Sequence, residues 1–513
     1  MGARKVWLAV PGALLALSLL LSSCSSLPPL EGRVASTAYT ATDDTRLGKA
    51  VLPLTMAHPG LVGIHALADG RDAFAARAVL AQAADRSLDV QYYIWRDDTT
   101  GRLMFDALKQ AAERGVRVRL LLDDNNTAGL DEALARLDAH PLVEVRLFNP
   151  NGIRSMRMAG FVTDFMRLNR RMHNKSFTAD NQVTIIGGRN IGDEYFGAAG
   201  DISFSDLDVI AAGPVVRTVS DDFDLYWNSP SAYPLALLVP DAEAVPAPTA
   251  DAEAHAYMEA IKRSAFLGQL VGGTLPLEWA HTRFVSDDPA KVMGTAKPEA
   301  NIAYKLRDLM GEPQRRFDLV SPYFVPGKSG AAAIIDVARK GAHTRILTNS
   351  LEATDVAAVH AGYAKWREPL LEAGVTLYEL RREATDEPSR EKRSSGSGSG
   401  IGSSDASLHA KTFGVDGSRV FVGSFNFDQR SIHLNTEMGM VIDSPALATR
   451  LTETLDRTLP KRAYEVKLDE HGKIIWLERK GDQVIRYEKE PGTSWWKRAA
   501  VNVLSWLPID WLL

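Results

Sequence analysis

Alternating and helix-spaced apolar residues occur in the same order twice along the chain. In the first part, the pattern predicts a strand, a helix and a strand at residues 88–95, 104–114 and 116–122. The same order recurs later, at residues 317–325, 331–340 and 344–347. This repeated alternation predicts an α/β fold built from two related halves.

The pattern changes in the last part of the chain. Three short strands are predicted at residues 464–468, 474–478 and 484–487, separated by turns with glycine. Residues 494–507 have apolar side chains at helical spacing, and several tryptophans accompany them. Two interpretations of this helix stay open: it lies in the interface of a bilayer, or it packs on the protein core.

Length and composition limit the possible classes of protein. With 513 residues, 45% hydrophobic and 24% charged, the chain is expected to fold into two domains or two fused repeats. A formal net charge of −5 argues against a dedicated nucleic-acid binder, which usually has a basic domain.

The N-terminus has the layout of a secretory signal. Arg4 and Lys5 precede an apolar run at residues 6–21, and Cys24, the only cysteine of the chain, follows. The stretch resembles a bacterial lipoprotein signal, and Ser25 resembles the residue found in lipoproteins sorted to the outer membrane. The alternative is an unprocessed membrane anchor. We therefore expect lipidation at Cys24 and a periplasm-facing position in the bacterial cell envelope.

The most informative pattern is a motif that occurs twice. Each copy has a histidine, a lysine two residues later and an aspartate five residues after the lysine. Six largely apolar residues follow, and then a turn of small residues that ends in asparagine. The two copies are His173, Lys175, Asp180 and Asn190, and His409, Lys411, Asp416 and Asn426.

A pair of such motifs suits chemistry at a phosphodiester. One imidazole can attack the phosphorus atom while the other protonates the leaving oxygen. On an extended strand, a lysine two positions from a histidine faces the same side, so both ammonium groups can hold the non-bridging oxygens. The two asparagines can add neutral hydrogen-bond donors.

Written as His-x-Lys-x4-Asp-x6-Gly-[Gly/Ser]-x-Asn, the two copies resemble the phospholipase D superfamily. From about Arg46 to the C-terminus, the chain is most similar to bacterial cardiolipin synthases of the C type. Supporting stretches lie at residues 91–95, 114–119, 167–173 and 426–431. The resemblance implies two fused repeats, each a mixed sheet flanked by helices, packed around a shared active site with pseudo-two-fold symmetry.

The resemblance also implies roles for single residues, with no metal or cofactor. One histidine, by preference His173, forms a phosphohistidine intermediate. A carboxylate from the opposite repeat holds the second nitrogen of each imidazole, which matches Glu437 and, in Asp206-Leu-Asp208, Asp208. Asp180 and Asp416 are expected to organise the turn behind the site. The candidate residues are His173, Lys175, Asp180, Asn190, His409, Lys411, Asp416, Asn426 and Glu437.

Patterns and composition shifts together suggest domain boundaries. The expected segments are a signal peptide at 1–23, a tether at 24–60, repeat 1 at 61–230, a connection at 231–300, repeat 2 at 301–445 and an extension at 446–513. The glycine- and serine-rich residues 394–404 precede His409 closely and are either a gate for lipid or a surface insertion. Tyr93, Tyr323 and Tyr363 either line the cleft or belong to the core.

The sequence is compatible with three functions. The first is transfer of a phosphatidyl group that yields cardiolipin from phosphatidylglycerol and a second phospholipid. The second is hydrolysis to phosphatidic acid, since only the exclusion of water separates the two reactions. The third is a lipoprotein that binds lipid without catalysis. The expected partners are phospholipids and the membrane, reached through Cys24 and the C-terminal helix, and no nucleic acid is expected.

Overall fold

The structure, a computed structural model, describes residues 27–154, 156–198, 203–240, 252–354, 356–382, 406–506 and 512, with the backbone alone for 203–205 and 406–407. The predicted signal peptide and Cys24 lie outside the described residues, and so do residues 394–404. Among the helices that the structure describes, none has the length and apolar character needed to cross a bilayer.

Among the residues that the structure describes, the first half has nine strands and eleven α-helices. Strands β1 to β9 are Val62–Leu67, Ser87–Tyr92, Arg117–Asp123, Val143–Phe148, Ser176–Ala179, Val183–Gly187, Ser203–Ser205, Asp208–Ala212 and Ala232–Pro234. Helices α1 to α11 are Arg46–Ala57, Gly70–Ala83, Thr99–Glu113, Asp131–Asp138, Arg157–Thr163, Phe165–Leu168, Asp193–Phe196, Val215–Trp227, Leu235–Leu238, Ala252–Lys262 and Ala265–Val271.

The second half follows the same plan and adds the C-terminal extension. Strands β10 to β22 are Glu278–Ser286, Arg316–Val320, Phe324–Val325, His343–Asn349, Thr376–Leu380, Ala406–Leu408, Lys411–Val415, Arg419–Gly423, Phe427–Asp428, Met438–Asp443, Ala463–Leu468, Ile474–Lys480 and Gln483–Tyr487. Helices α12 to α18 are Ile302–Met310, Gly327–Arg339, Ala357–Ala364, Arg367–Glu372, Gln429–His433, Pro445–Arg462 and Trp495–Ser505.

Eighteen of these strands are joined into one sheet whose order is nearly palindromic. From β4 the order runs β3, β2, β5, β6, β8 and β1, and from β14 it runs β13, β11, β16, β17, β19 and β10, with β1 paired to β10 at the centre. The registers match as well: Val90 lies between Leu120 and Phe177, and Leu319 lies between Ile346 and Phe413. The fold class predicted from the sequence, two fused mixed α/β repeats, is therefore confirmed.

The helices bury one apolar face against the sheet. In α3, the side chain of Asp98 accepts a hydrogen bond from Gly101 N and so caps the first turn, while Met104, Leu108 and Ala111 are buried. Where the two halves meet, a separate apolar cluster forms from β6 and β8 on one side and β17 and β19 on the other. Both motif strands, β5 and β16, lie next to this junction in the sheet.

The strand predicted at residues 317–325 is interrupted, so that prediction is wrong at its C-terminal end. β11 ends at Val320, and β12 pairs with β18 instead. Pro322 lies in the break and has no N–H for a ladder, while the Ser321 hydroxyl donates to the carbonyl of Tyr323. The strand predicted at 88–95 likewise ends early, at Tyr92.

The C-terminal extension has the three predicted strands and the predicted helix. Strands β20, β21 and β22 extend the sheet beyond β14 as antiparallel neighbours. In α18, Val501 is buried against Leu351 and Ala361. The indole rings of Trp495, Trp496 and Trp506 are nevertheless largely exposed. One face of the helix therefore packs on the protein while the tryptophans face outward.

Candidate active site

Each motif histidine is held in place by backbone from the opposite half. His173 lies just before β5, and its N–H donates to the carbonyl of Thr436 at 2.9 Å. His409 lies between β15 and β16, and β15 pairs in parallel with β7 of the first half. Both histidine positions are therefore built with backbone contacts from the other half, and the site depends on the packing of the two halves.

Each imidazole also bonds a carboxylate from the opposite half. His173 Nδ1 lies 2.9 Å from Glu437 Oε2, and His409 Nδ1 lies 2.6 Å from Asp206 Oδ2. Glu437 is thus placed where the sequence predicted it. The predicted partner of His409, Asp208, is wrong: its carboxylate accepts from Arg77 at 2.8 Å, both side chains being fully buried. Asp206, two residues earlier, is the partner that sequence reasoning missed.

A polar network that the sequence did not indicate holds Glu437. The Ser424 hydroxyl donates to Glu437 Oε2 at 2.5 Å, and the Ser431 hydroxyl donates to Oε1 at 2.8 Å. The backbone N–H of Glu437 donates to Asp287, which pairs with Lys291 at 2.9 Å. With both of its oxygens hydrogen-bonded, the carboxylate is fixed relative to the imidazole.

Both motif lysines are buried and bend back toward their own histidines. Lys175 Nζ donates to the carbonyl of His173 at 2.6 Å, and Lys411 Nζ likewise donates to the carbonyl of His409. Lys411 Nζ also lies 2.9 Å from His409 Nδ1. The two ammonium groups are therefore close to the imidazoles, as the spacing predicted, but they are also fastened to the backbone.

The electrostatics of the site favour neutral imidazoles beside concentrated positive charge. Burial, followed by Lys175 and Lys411, lowers the pKa of His173 well below its usual value. Burial and Lys411 also lower the pKa of His409. Burial and the neighbouring Lys411 lower the pKa of Lys175 to about 7. Since the lysine of each motif acts on the histidine of the other, the two motifs form one electrostatic cluster.

The two carboxylate partners differ in their charge. Burial raises the pKa of Glu437 to about 7, although Lys175 acts in the opposite direction. Burial also opposes ionisation of Asp206, but His409 and Lys411 outweigh it and keep the pKa of Asp206 below its usual range. His409 is thus bonded to a carboxylate that stays ionised at neutral pH, whereas His173 is bonded to a carboxylate that is partly protonated near neutral pH.

The motif asparagines occupy buried positions next to the site. The side chain of Asn190 accepts from the Ile94 N–H at 3.1 Å and donates to the Tyr195 hydroxyl at 3.1 Å. The Tyr195 ring packs edge-on against His409, with 5.1 Å between ring centroids. Asn190 therefore supports an aromatic wall rather than facing the cleft directly. Asn426 is buried as well, at 4% exposure.

The motif aspartates lie at the opposite end of their strands. Asp180 accepts hydrogen bonds from the backbone N–H groups of Asp85, Arg86 and Ser87 at 2.7 to 2.9 Å. Asp416 accepts in the same way from residues 314–316. Both aspartates have a positive φ, near 50°, in the turn after the motif strand. They organise the turn, as the sequence indicated.

The packing shows which of the candidate tyrosines lines the site and which belongs to the core. Tyr93 contacts the His173 ring edge-on, with 4.9 Å between ring centroids, and thus lines the site. Tyr363 is buried in the core of the second half. Tyr93 and Tyr195 occupy corresponding places beside the two imidazoles, and Tyr195 has no motif that would have revealed it.

The arrangement has the parts that nucleophilic chemistry at an anionic phosphorus requires. Two imidazoles each have one nitrogen fixed by a carboxylate, and two lysines supply positive charge in a buried setting. Within the described residues, no group of three His, Cys, Asp or Glu side chains is arranged to hold a metal ion.

Comparison with known proteins gives a consistent result. The family described as "Cardiolipin synthase, PLD-like domain" matches residues 77–227 and 306–459. Cardiolipin synthase C of Escherichia coli (strain K12) is 54% identical over 477 residues, which cover 91% of this chain and 100% of that protein. Major cardiolipin synthase ClsA of Bacillus subtilis (strain 168) is 25% identical over 423 residues, covering 81% of this chain and 73% of that protein.

A solved structure supports the fold independently. The crystal structure of phosphatidylserine synthase of Haemophilus influenzae Rd KW20 superimposes with a TM-score of 0.55 at 14% sequence identity. The match covers 82% of this chain and 92% of that one. At this identity the likeness shows the shared architecture alone.

Proposed function

The chain belongs to the phospholipase D superfamily and, within it, to the cardiolipin synthase family, and from this we propose that it transfers a phosphatidyl group from one phospholipid to phosphatidylglycerol, forming cardiolipin. The observation that carries the proposal is the crossed pairing of His173 with Glu437 and of His409 with Asp206. Each half supplies one imidazole and the carboxylate of the other, so both imidazoles can act at one phosphorus.

In the first step, His173 Nε2 attacks the phosphorus of the donor lipid. A P–N bond forms and the P–O bond to the headgroup alcohol breaks. His409, which enters this step as an imidazolium paired with Asp206 once the anionic phosphate is bound, gives its proton to the departing oxygen. In the second step, His409 takes the proton from a glycerol hydroxyl of phosphatidylglycerol. That oxygen attacks the phosphorus, the P–N bond breaks, and cardiolipin leaves with His173 restored.

The charge of the carboxylates supports this division of roles. The pKa of both imidazoles lies below its usual value, so the difference comes from their partners: the pKa of Glu437, beside His173, is raised to about 7, so this carboxylate stabilises an imidazolium less and leaves His173 unprotonated. An acid and base must carry a proton during turnover, and the anionic Asp206 stabilises an imidazolium on His409. We therefore assign the nucleophile to His173.

The two lysines are proposed to hold the non-bridging oxygens of the phosphate. Both ammonium groups are buried and close to the imidazoles, so they lie where they can meet the negative charge of a bound phosphate. The negative charge that develops on these oxygens during attack is then met by groups that are already oriented.

A vesicle assay tests the proposal. Protein lacking residues 1–24 is mixed with vesicles of phosphatidylethanolamine and phosphatidylglycerol without added divalent metal, and the products are separated by thin-layer chromatography. We expect cardiolipin. Phosphatidic acid alone would show a hydrolase, and absence of turnover would show a binding protein.

Three variants sharpen this assay. His173→Ala and His409→Ala should each abolish conversion, because each removes one of the two imidazoles from the reaction. His471→Ala serves as the matched control, since His471 is exposed in the turn between β20 and β21. Retained activity in either motif variant would contradict the proposed mechanism.

We further propose that the protein is a lipoprotein attached through Cys24 to the outer membrane, with its folded part in the periplasm. The signal-like residues 1–23 and the position of Cys24 support this proposal. The exposed tryptophans of α18 support a second contact with the bilayer, because indole rings favour the membrane interface. Incorporation of radiolabelled palmitate in cells, lost in Cys24→Ala, is the expected result.

A further inference from the structure

Helix α17 covers an apolar cavity of about 400 Å³ on the second half of the sheet. Along the helix, Leu447, Leu451, Leu455 and Leu459 recur at every fourth position and form one wall. The facing wall comes from strands of the sheet, including Val320 and Leu347. Its size and lining are those of a site for an apolar ligand.

The cavity lies directly behind the second motif. Leu408 and Ala410, the neighbours of His409, line the cavity, whereas His409 and Lys411 do not. Successive side chains of an extended segment point to opposite faces, so the cavity and the imidazole lie on opposite sides of this segment. Asp206, which binds His409 Nδ1, also contributes to the lining. A ligand in the cavity would therefore touch the residue that holds His409.

One end of the cavity is basic. Arg462 lines it there, and the carbonyl of Arg462 accepts a hydrogen bond from the backbone N–H of Arg381 at 2.9 Å. The Arg381 guanidinium donates to the carbonyl of Lys461 and pairs with Glu478. Arg381 is thus paired with an acid, and Arg462 is the cationic residue that lines this end of the cavity, where its charge attracts an anionic headgroup. At the other end, Arg450 pairs with Glu278 at 2.7 Å.

We propose that this cavity binds an acyl chain of an anionic phospholipid, with the phosphate of that lipid at the Arg462 end. The inference rests on the proposed function only in taking phospholipid as the ligand class. The bound lipid is not the one that reacts, because the strand segment carrying Leu408 and Ala410 separates it from both imidazoles. The site is a second lipid site, and through Asp206 its occupancy is linked to the position of His409.

Photocrosslinking of the full chain tests this proposal. The probe is phosphatidylglycerol with a diazirine near the end of one acyl chain, presented in phosphatidylcholine vesicles, and crosslinked peptides are identified by mass spectrometry. We expect adducts on residues 447–459 of α17. Phosphatidylcholine with the same diazirine chain should give clearly fewer adducts there. Adducts confined to other parts of the chain would overturn the proposal.

Two variants and one control make the result specific. Thr458→Trp places an indole in the cavity and should reduce α17 adducts about tenfold, because the added volume competes with the chain. Thr449→Trp is the control, since Thr449 is an exposed residue of the same helix outside the cavity lining. If Thr458→Trp does not fold, as judged by thermal unfolding, Arg462→Glu tests the headgroup end from the surface, with the same loss expected. Unchanged adducts in a folded variant would refute the site.

The crosslinking assay detects bound lipid and does not require catalytic turnover. His173→Ala is inactive under the proposed function but should still give the α17 adducts. In the unaltered protein, α17 adducts without cardiolipin formation would therefore count against the proposed reaction alone. Normal cardiolipin formation without these adducts would count against the second lipid site alone.

Discussion

Asp206 and Asp208 are two residues apart, but the structure predicts different effects when each is replaced by asparagine. The first replacement should lower turnover, and the second should lower the stability of the fold. Asp206 accepts a hydrogen bond from His409 Nδ1 at 2.6 Å, with its carboxylate ionised. Asp206→Asn removes the charge that would stabilise an imidazolium but keeps the size of the side chain. We expect turnover to fall by about 10² to 10⁴-fold, with little change in thermal stability.

Asp208 is expected to affect the stability of the fold instead. Its carboxylate pairs with Arg77 at 2.8 Å, and Arg77 also donates to the Tyr92 hydroxyl at 2.8 Å. Both charged side chains are at most 1% exposed. Asp208→Asn leaves a buried guanidinium without its counter-ion, which costs about 3–5 kcal/mol of unfolding free energy.

Two measurements on the same pair of proteins separate these effects. Thermal unfolding should shift down by several degrees for Asp208→Asn only, and the rate of cardiolipin formation per folded molecule should collapse for Asp206→Asn only. If Asp208→Asn abolishes turnover at full stability while Asp206→Asn remains active, the assigned pairing of His409 is wrong.

Three further outcomes follow from the site and the surface. Because the pKa of Lys175 is about 7, its ammonium is lost as the pH rises above that value, and we expect the rate of conversion to decline from pH 7 to 9. The residual activity of Lys175→Arg should lack this decline when it is measured over the same pH range. Asp180→Ala should cost about 3 kcal/mol of unfolding free energy, because three backbone N–H groups lose their acceptor, and more than Asp416→Ala at the less buried turn; chemical denaturation compares them. Replacing Trp496 and Trp506 with serine in protein lacking residues 1–24 should weaken flotation with vesicles, and unchanged flotation would remove α18 from the membrane contact.

The repeat architecture could be predicted from the sequence because it leaves a local signal. Apolar periodicity marks strands and helices, and two copies of the motif mark equivalent strands. The pairing of Phe177 with Val90 and of Phe413 with Leu319 shows how closely the two halves correspond. The turn role of Asp180 also followed from its place just after a strand.

Contacts across the two halves could not be predicted in the same way. In Asp206-Leu-Asp208, both carboxylates lie at positions of the same parity, so spacing alone does not decide which one reaches His409. The structure decides it because β8 begins at Asp208 and buries that residue beside Arg77. Ser424 belongs to the motif turn and Ser431 to a neighbouring stretch of the resemblance, but hydroxyls are common in turns, so the sequence did not indicate that both bond Glu437.

The central claim is that the two imidazoles divide the work at one phosphorus, and a trapping experiment tests it most directly. A phosphatidyl p-nitrophenyl ester has a leaving group that needs no proton, so His409→Ala should still form the P–N bond but should fail to activate the acceptor. After rapid denaturing quench and proteolysis, mass spectrometry should find the phosphatidyl adduct on His173, accumulated in His409→Ala and absent in His173→Ala. An adduct on another residue, or none in His409→Ala, would contradict the account.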